Sequence, residues 1–351
     1  MFVEIPEIKH VDAKDFEEAV YWLTEYGDRA KVIGGATDLL GLMKDRIEGP
    51  GFKTPEILVN IKPIPEMNQI KDENDWLRIG AGVTLDRIEE SRTINEKYGI
   101  LAQAASGVGT IQLRNMGTIG GNVCQRPRCM YFRHPHFICR KKGGGKCYAI
   151  TGDHRDYYSI FLNKRKCVMA HPSDMAPALA ALNTKAVIGD SDGKREIPLQ
   201  AFFLGPDQLK ETILQPEELL IEFRVPNPEE KTYQCFAKQR IRRSFDFALA
   251  SVAMVARIDE EVCKEIRIVL GGVAHFPYAA TGAEEVLRGR RFSDELISAA
   301  SEASVKEARP LRMNHYKRDL TKVCVKRALR TLWQESSSTR HGPRKGVSRG
   351  A

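Results

Sequence analysis

Five of the eight cysteines, Cys124, Cys129, Cys139, Cys147 and Cys167, fall inside one stretch of forty-four residues. The heart of it, TIGGNVCQRPRCMYFRHPHFICRKKGGGKC, also carries seven arginines and lysines and a Gly-Gly-Gly run. A segment of this composition lacks the apolar periodicity of a helix or strand, so the globular core must come from the sequence on either side. In a chain without signs of secretion, such clustering argues for metal or redox chemistry rather than a disulfide framework. The opening MFVEIPEIKHVDAKD has no basic-then-apolar leader pattern, and no run approaches the ~18 apolar residues of a membrane helix. The reading is a cytoplasmic chain, although export with a partner that carries the signal would look the same. Cys235, Cys263 and Cys324 sit in apolar or mixed patterns and read as small core residues.

Around the cysteine segment the pattern is globular, and 351 residues leave room for two or three compact domains. Residues 14–27 place Phe16, Ala19, Val20 and Leu23 at helical spacing, with Gly27 as a stop. Residues 57–61 and 76–85 predict strands, and 85–105 predicts a helix capped by Thr84. After the cysteines, HPSDMAPALAAL predicts a turn and an alanine-rich helix, and residues 216–228 a strand edged by prolines. From Tyr233 the texture changes to alternating runs, with helices near 279–288 and 294–307. The domain boundary is expected in the Pro-rich turn at 226–232. The final stretch ESSSTRHGPRKGVSRGA holds four Arg/Lys against one Glu and predicts a disordered basic tail. The net charge of +8 admits nucleic acid as a partner, but the basic residues form no aromatic-interleaved stripe.

Two glycine turns carry the next signal. VIGGATDLL (32–40) is a strand running through Gly-Gly into a helix, where glycine permits close approach and a helix start offers free N–H groups to an anion. TIGGN (118–122) is a second, loop-like turn of the same kind. Neither is GxGxxG or a Walker loop, and ordinary turn chemistry explains each alone; two in one domain suit a pyrophosphate-containing cofactor better than one. In HPSDMAPAL, Asp174 either caps the following helix, the simpler local reading, or accepts from ribose or ribityl hydroxyls. The cysteine spacing, Cys124-x4-Cys129-x9-Cys139-x7-Cys147-x19-Cys167, gives neither the close pairs of a zinc finger nor ferredoxin spacing. Thiolates gathered by a long loop need geometry rather than proximity, and the arginines and lysines would balance their charge. His134, His136, His154 and His171 are second-choice ligands. No Ser/His/Asp set or carboxylate pair stands out for acid–base or nucleophilic work.

Taken in order, VIGGATDLL, RNMGTIGGN, HPSDMAPALAAL, PEELLIEFRVP and FAKQRIRRSFDFALASVA resemble the flavin subunit of molybdenum hydroxylases. That group comprises the xanthine dehydrogenase, aldehyde oxidoreductase and carbon monoxide dehydrogenase family, and the likeness runs from about residue 3 to 334. It implies an α+β protein: a two-lobed FAD-binding domain of p-cresol methylhydroxylase type over 1–228, then a smaller α+β domain over 229–334. The lobes would span about 1–55 and 56–228, with a cysteine loop at 123–167 and the basic tail at 335–351. By position, Val32, Ile33, Gly34, Gly35, Ala36, Thr37, Asp38 and Leu39 would wrap the pyrophosphate of FAD. Thr118, Ile119, Gly120, Gly121 and Asn122 would form the second phosphate loop, Asp174 would reach the ribityl or ribose hydroxyls, Leu220 would pack near the flavin, and Lys238 would sit at its polar edge. Ala36 stands where relatives usually have a second glycine.

The cysteine segment further resembles that of 4-hydroxybenzoyl-CoA reductase and some bacterial aldehyde oxidoreductases, which implies a [4Fe–4S] cluster on Cys129, Cys139, Cys147 and Cys167. Cys124 falls where relatives often have an apolar residue. The implied function is electron transfer as an oxidoreductase subunit, with no catalytic residue of its own. FAD would exchange electrons with [2Fe–2S] clusters of a small subunit and with an external carrier, and substrate would react at molybdopterin in a large subunit. The competing readings are a self-contained FAD oxidoreductase and a zinc-stapled nucleic-acid-binding protein.

Overall fold

The structure is a computed structural model that describes residues 5, 7–162, 166–242 and 244–338. Three sheets organise it. In the first, β1 (Lys9–Asp12) and β2 (Ala30–Ile33) flank β3 (Ile57–Asn60), all parallel. The crossover is α1 (Phe16–Tyr26), whose buried Phe16, Ala19, Val20 and Leu23 are the predicted stripe. Asp15 caps it by accepting from the Glu18 amide at 2.8 Å, and Gly27 ends it at a φ of 52° that favours glycine. Because β3 is the central strand, a first lobe ending at residue 55 would omit the middle of its own sheet. A short α2 (Leu39–Lys44) follows β2.

The second sheet is antiparallel, ordered β4 (Ile70–Asp72), β5 (Trp76–Gly80), β8, β6 (Lys185–Asp190), β7 (Gly193–Pro198), with β8 (Leu219–Pro226) in the middle. The chain leaves β5 at Gly80, where a Cβ would lie 2.2 Å from the Met67 carbonyl, so the strand predicted to run to residue 85 stops there. The single helix expected over 85–105 is three: α3 (Leu85–Glu90), α4 (Arg92–Lys97) and α5 (Gly99–Ser106). Ser91 breaks the run because its hydroxyl accepts from the Ile94 amide and starts a new helix. Then come α6 (Ile111–Met116), α7 (Ile119–Val123), α8 (Met175–Ala181) and α9 (Leu199–Phe202).

The third sheet is ordered β12-β11-β10-β9, with β9 (Thr232–Gln239), β10 (Ala250–Asp259), β11 (Val262–Gly271) and β12 (Tyr278–Ala279). Successive side chains of β10 serve different cores. Ala253 and Val255 join the main core, while Val252, Met254 and Ala256 join the core of the C-terminal helices. Burial on both faces explains why ALASVAMVA reads as an unbroken apolar run. On one side α5 and α8 pack on this sheet; α12 (Tyr316–Ser338) packs on β9 and β10, with α10 (Thr281–Leu287) and α11 (Asp294–Ala303) beside it. The first residues of the tail expected from 335 are helical instead. Ser336 is buried, and the Ser336, Ser337 and Ser338 hydroxyls donate to carbonyls one turn back, so the helix continues to Ser338. Residues 339–351 lie outside the described residues. Among the described residues no helix is long and apolar enough to cross a membrane.

Candidate functional site

The two glycine turns face each other. A Cβ on Gly35 would lie 2.1 Å from the Met116 carbonyl, and one on Gly120 would lie 2.8 Å from Ala81. Glycine is required at these two positions for the backbones to pack, before any ligand is considered. The TIGGN segment is not a loop: it opens α7, with the Thr118 hydroxyl accepting from the Gly121 amide at 3.1 Å. Ile119 and Gly120 are consequently turned into the core. Thr118, Gly121 and Asn122 line a cleft of about 570 Å³, and Val32 to Leu39 line an adjoining cavity of about 250 Å³. Thr37, Asp38, Thr118, Gly121 and Gln125 border both.

Among the described residues, the amides from Gly34 to Asp38 find no acceptor in the protein. Backbone N–H groups left open at a cavity wall form an anion-binding nest. Ala36 holds the turn with a φ of 59°, the left-handed region where glycine costs nothing. That explains why a glycine is the natural residue there.

Asp174 does not cap α8. Ser173 does, accepting from the Ala176 amide at 2.9 Å while its hydroxyl donates to Asn122 Oδ1 at 2.6 Å. The Asp174 carboxylate is thereby free to turn into the cleft. Its Oδ2 accepts from Lys238 Nζ at 2.6 Å, and its Oδ1 is buried without a partner. Lys238, on β9, also donates to the Gly107 carbonyl at 2.8 Å. Burial raises the Asp174 pKa, and the lysine opposes it. Leu220 lies in the main core, on β8, rather than in the cleft lining.

Sequence reasoning missed the far wall. Tyr157, Arg242, Asp246 and Phe247 line the cleft, and Tyr157 Oη donates to Asp246 Oδ1 at 2.5 Å. RIRRSFDF carries three of these, but their charge reads locally as an ordinary solvated loop. Arg128 and Arg133, from the cysteine segment, line the cleft as well.

The four proposed cluster cysteines converge. Cys129, Cys139, Cys147 and Cys167 border one small cavity of about 10 Å³, together with Pro127, Phe132, Lys141 and Met169. Backbone amides reach the sulfurs: those of Tyr131 and Phe132 to Cys129, Lys141 and Lys142 to Cys139, Ala149 and Ile150 to Cys147, and Met169 to Cys167. The Cys147 thiol is lowered to about 6 by its hydrogen bond with Cys167, whereas burial pushes Cys129 up to about 11. Lys142 is fully buried, with its Nζ on the His134 carbonyl at 2.8 Å. Among the described residues, no three His, Cys, Asp or Glu side chains close to metal-holding distance. Cys124 is elsewhere, on the wall of the glycine-turn cavity, where burial raises it to about 12. The second-choice histidines are all outside the cysteine cavity; His154 is held by the Ala149 carbonyl and the Met313 amide. Cys235, Cys263 and Cys324 are core residues.

Residues 6–228 match the family described as the FAD binding domain in molybdopterin dehydrogenase, and residues 235–332 match the CO dehydrogenase flavoprotein C-terminal domain. The aldehyde oxidoreductase FAD-binding subunit PaoB of Escherichia coli is 34% identical, covering 74% of this chain and 79% of its own length. The carbon monoxide dehydrogenase medium chain of Hydrogenophaga pseudoflava is 29% identical over 93% of this chain and 98% of its own. A solved structure of carbon monoxide dehydrogenase from that organism, lacking the Mo-pyranopterin moiety, superposes with a TM-score of 0.75 at 28% identity, covering 94% of this chain and 99% of that one. Quinoline 2-oxidoreductase from Pseudomonas putida 86 shares the fold, with a TM-score of 0.74 at 21% identity over 95% and 99%. The open amides, the half-paired buried carboxylate and these matches agree: the chain belongs to the FAD-binding medium subunits of the carbon monoxide dehydrogenase and molybdenum hydroxylase family of oxidoreductases.

Proposed function

We propose that this chain is the flavin-bearing electron-transfer subunit of a molybdenum-containing hydroxylase or dehydrogenase complex, and that it carries a [4Fe–4S] cluster beside the flavin. The observation that carries the flavin part is the buried Asp174 carboxylate, with one oxygen on Lys238 and the other unpartnered at the cleft. A buried acceptor left open is costly unless a ligand hydroxyl completes it, and a ribityl or ribose hydroxyl is such a group. The amides of Gly34 to Asp38 and the Thr118–Asn122 turn would hold the pyrophosphate between them. Bound FAD supplies the ability to take electrons singly and release them in pairs. This chain's residues bind and orient it, and Lys238 holds the Asp174 carboxylate at the cleft wall.

For the cluster, what supports the reading is the donor set. Four cysteines spread over thirty-nine residues share one cavity, amides point at their sulfurs, and Lys141 and Lys142 are buried beside them. Amide hydrogen bonds and nearby cations stabilise thiolates and the negative charge of an iron–sulfur centre. The expected partners are a molybdopterin-binding large subunit and a [2Fe–2S] small subunit, with an external electron carrier. The expected compartment is the cytoplasm, and nucleic acid is not an expected partner. One observation favours a second reading: a cavity of about 10 Å³ holds about one water-sized sphere, so a single zinc ion on the same cysteines fits with less movement. Absorption spectroscopy with metal and flavin counts on the purified chain separates the two. About four iron per flavin in a yellow-brown protein supports the cluster; one zinc and a purely yellow protein overturns it. A colourless protein would overturn the flavin reading too.

A further inference from the structure

We propose that Asp38 couples the two sites, clasping the turn that carries Cys129 against the flavin cradle so that filling either site favours filling the other; this rests on the reading of FAD and cluster given above. Asp38 occupies the position where an aspartate ordinarily caps a helix, yet its side chain makes no bond to α2. The carboxylate instead faces a turn some ninety residues later in the chain. Oδ2 accepts the Arg126 amide at 2.8 Å, while Oδ1 meets Arg133 Nη2 at 2.6 Å and Arg128 Nη2 at 2.8 Å.

Arg133 fastens the rest of the turn. Its guanidinium donates to the Pro127 carbonyl at 2.8 Å and the Arg126 carbonyl at 3.1 Å, and its amide donates to the Cys129 carbonyl at 3.0 Å. The backbone from 126 to 133 is therefore wound around one carboxylate, with Cys129 inside the loop. Asp38, Arg128 and Arg133 are each at least four-fifths buried, where charge-assisted bonds are strong and an unpaired charge is costly. The same residue belongs to the row of open amides at the cradle and borders both cavities. A ligand that fixes the cradle fixes the carboxylate, and the carboxylate fixes Cys129. Linkage then works equally in the other direction.

The test measures FAD affinity on the full-length chain, deflavinated, in iron-replete and chelator-stripped preparations, by flavin fluorescence. In the wild type, iron-replete protein is expected to bind FAD more tightly, by a factor on the order of 5–150, the usual range for coupled sites. In Asp38→Asn the two affinities are expected to coincide, whatever their absolute value. Equal affinities in the wild type, or an unchanged ratio in Asp38→Asn, overturn the proposal. If the purified wild type holds no iron, the cluster reading has failed, and the clasp is judged by limited proteolysis. FAD should then slow cleavage within 123–167 in the wild type and not in Asp38→Asn, and equal protection in both overturns it. Should Asp38→Asn not fold, Arg133→Gln puts the same question from the other side of the clasp.

Discussion

Ala36 holds the cradle in a left-handed conformation at a φ of 59°. For a residue with a Cβ this conformation costs roughly 1–2 kcal/mol, partly offset because glycine loses about 0.5–1 kcal/mol more chain entropy on folding. Ala36→Gly should therefore stabilise the flavin-free protein by up to about 1.5 kcal/mol, seen as a higher denaturation midpoint. An unchanged or lower midpoint would mean the strain is relieved elsewhere. A harder case is Asp174. Asp174→Asn leaves the Lys238 ammonium buried and unpaired, which should destabilise by roughly 3–5 kcal/mol. Pairing it with Lys238→Met is expected to restore most of the stability but not FAD retention. Recovery of both in the double variant would assign the pair a purely structural role. The residue scale also shows where sequence reading stops. HPSDMAPAL reads most simply with Asp174 as the cap, and Ser173 takes that place with its hydroxyl on Asn122 Oδ1, a partner some fifty residues away.

At the scale of elements, α12 reaches beyond its own domain. Lys317, in its first turn, is fully buried and donates to the carbonyls of Asp156, Tyr158 and Gly272 at 2.9, 2.7 and 2.8 Å. It pins the exit of the cysteine segment to the end of β11. Lys317→Met would strand buried carbonyls that each cost about 1–3 kcal/mol unpaired. A loss of roughly 3 kcal/mol in urea unfolding is expected; a loss under about 1 kcal/mol would show that water replaces the ammonium. The sequence pattern made α1, β8, α10 and α11 legible, because each has a periodic apolar face and a chemically marked end. It misjudged 85–105, where three helices on one helical periodicity differ from a single helix only by the conformation of Ser91 and Tyr98. It could not reveal that β3 pairs between β1 and β2, since strand order is set by tertiary packing rather than by local pattern. Of the candidate site, the glycine turns were legible as backbone chemistry. The Asp38 clasp was not, because its partners lie far along the chain.

The whole molecule carries its acid sensitivity in its interior. His171 is buried between the Val123 carbonyl and Phe203, and burial lowers its pKa from 6.5 to about 4. The folded state keeps the ring neutral while the unfolded chain takes up a proton below 6.5. The stability it contributes is therefore present above pH 6.5 and is lost as the pH falls towards 4, by at most about 1.4 kcal/mol per pH unit. Denaturant titrations at pH 7, 6 and 5 should show this decline, and His171→Gln should lessen it, with the buried His275, lowered likewise to about 4, carrying a similar share. An equally steep decline in the variant would place the sensitivity in other groups. The ion pair at the cleft has a different consequence at this scale. Asp174 precedes α8 in the first domain, and Lys238 lies on β9 in the second, with the Pro-rich turn between them. The polar anchor proposed for the cofactor is thus divided between two modules that a recombination event could separate. A hybrid gene joining one relative's first half to another's second half inherits a working site only if both halves bring matching charges, so the unit that can be exchanged between such complexes is the entire subunit.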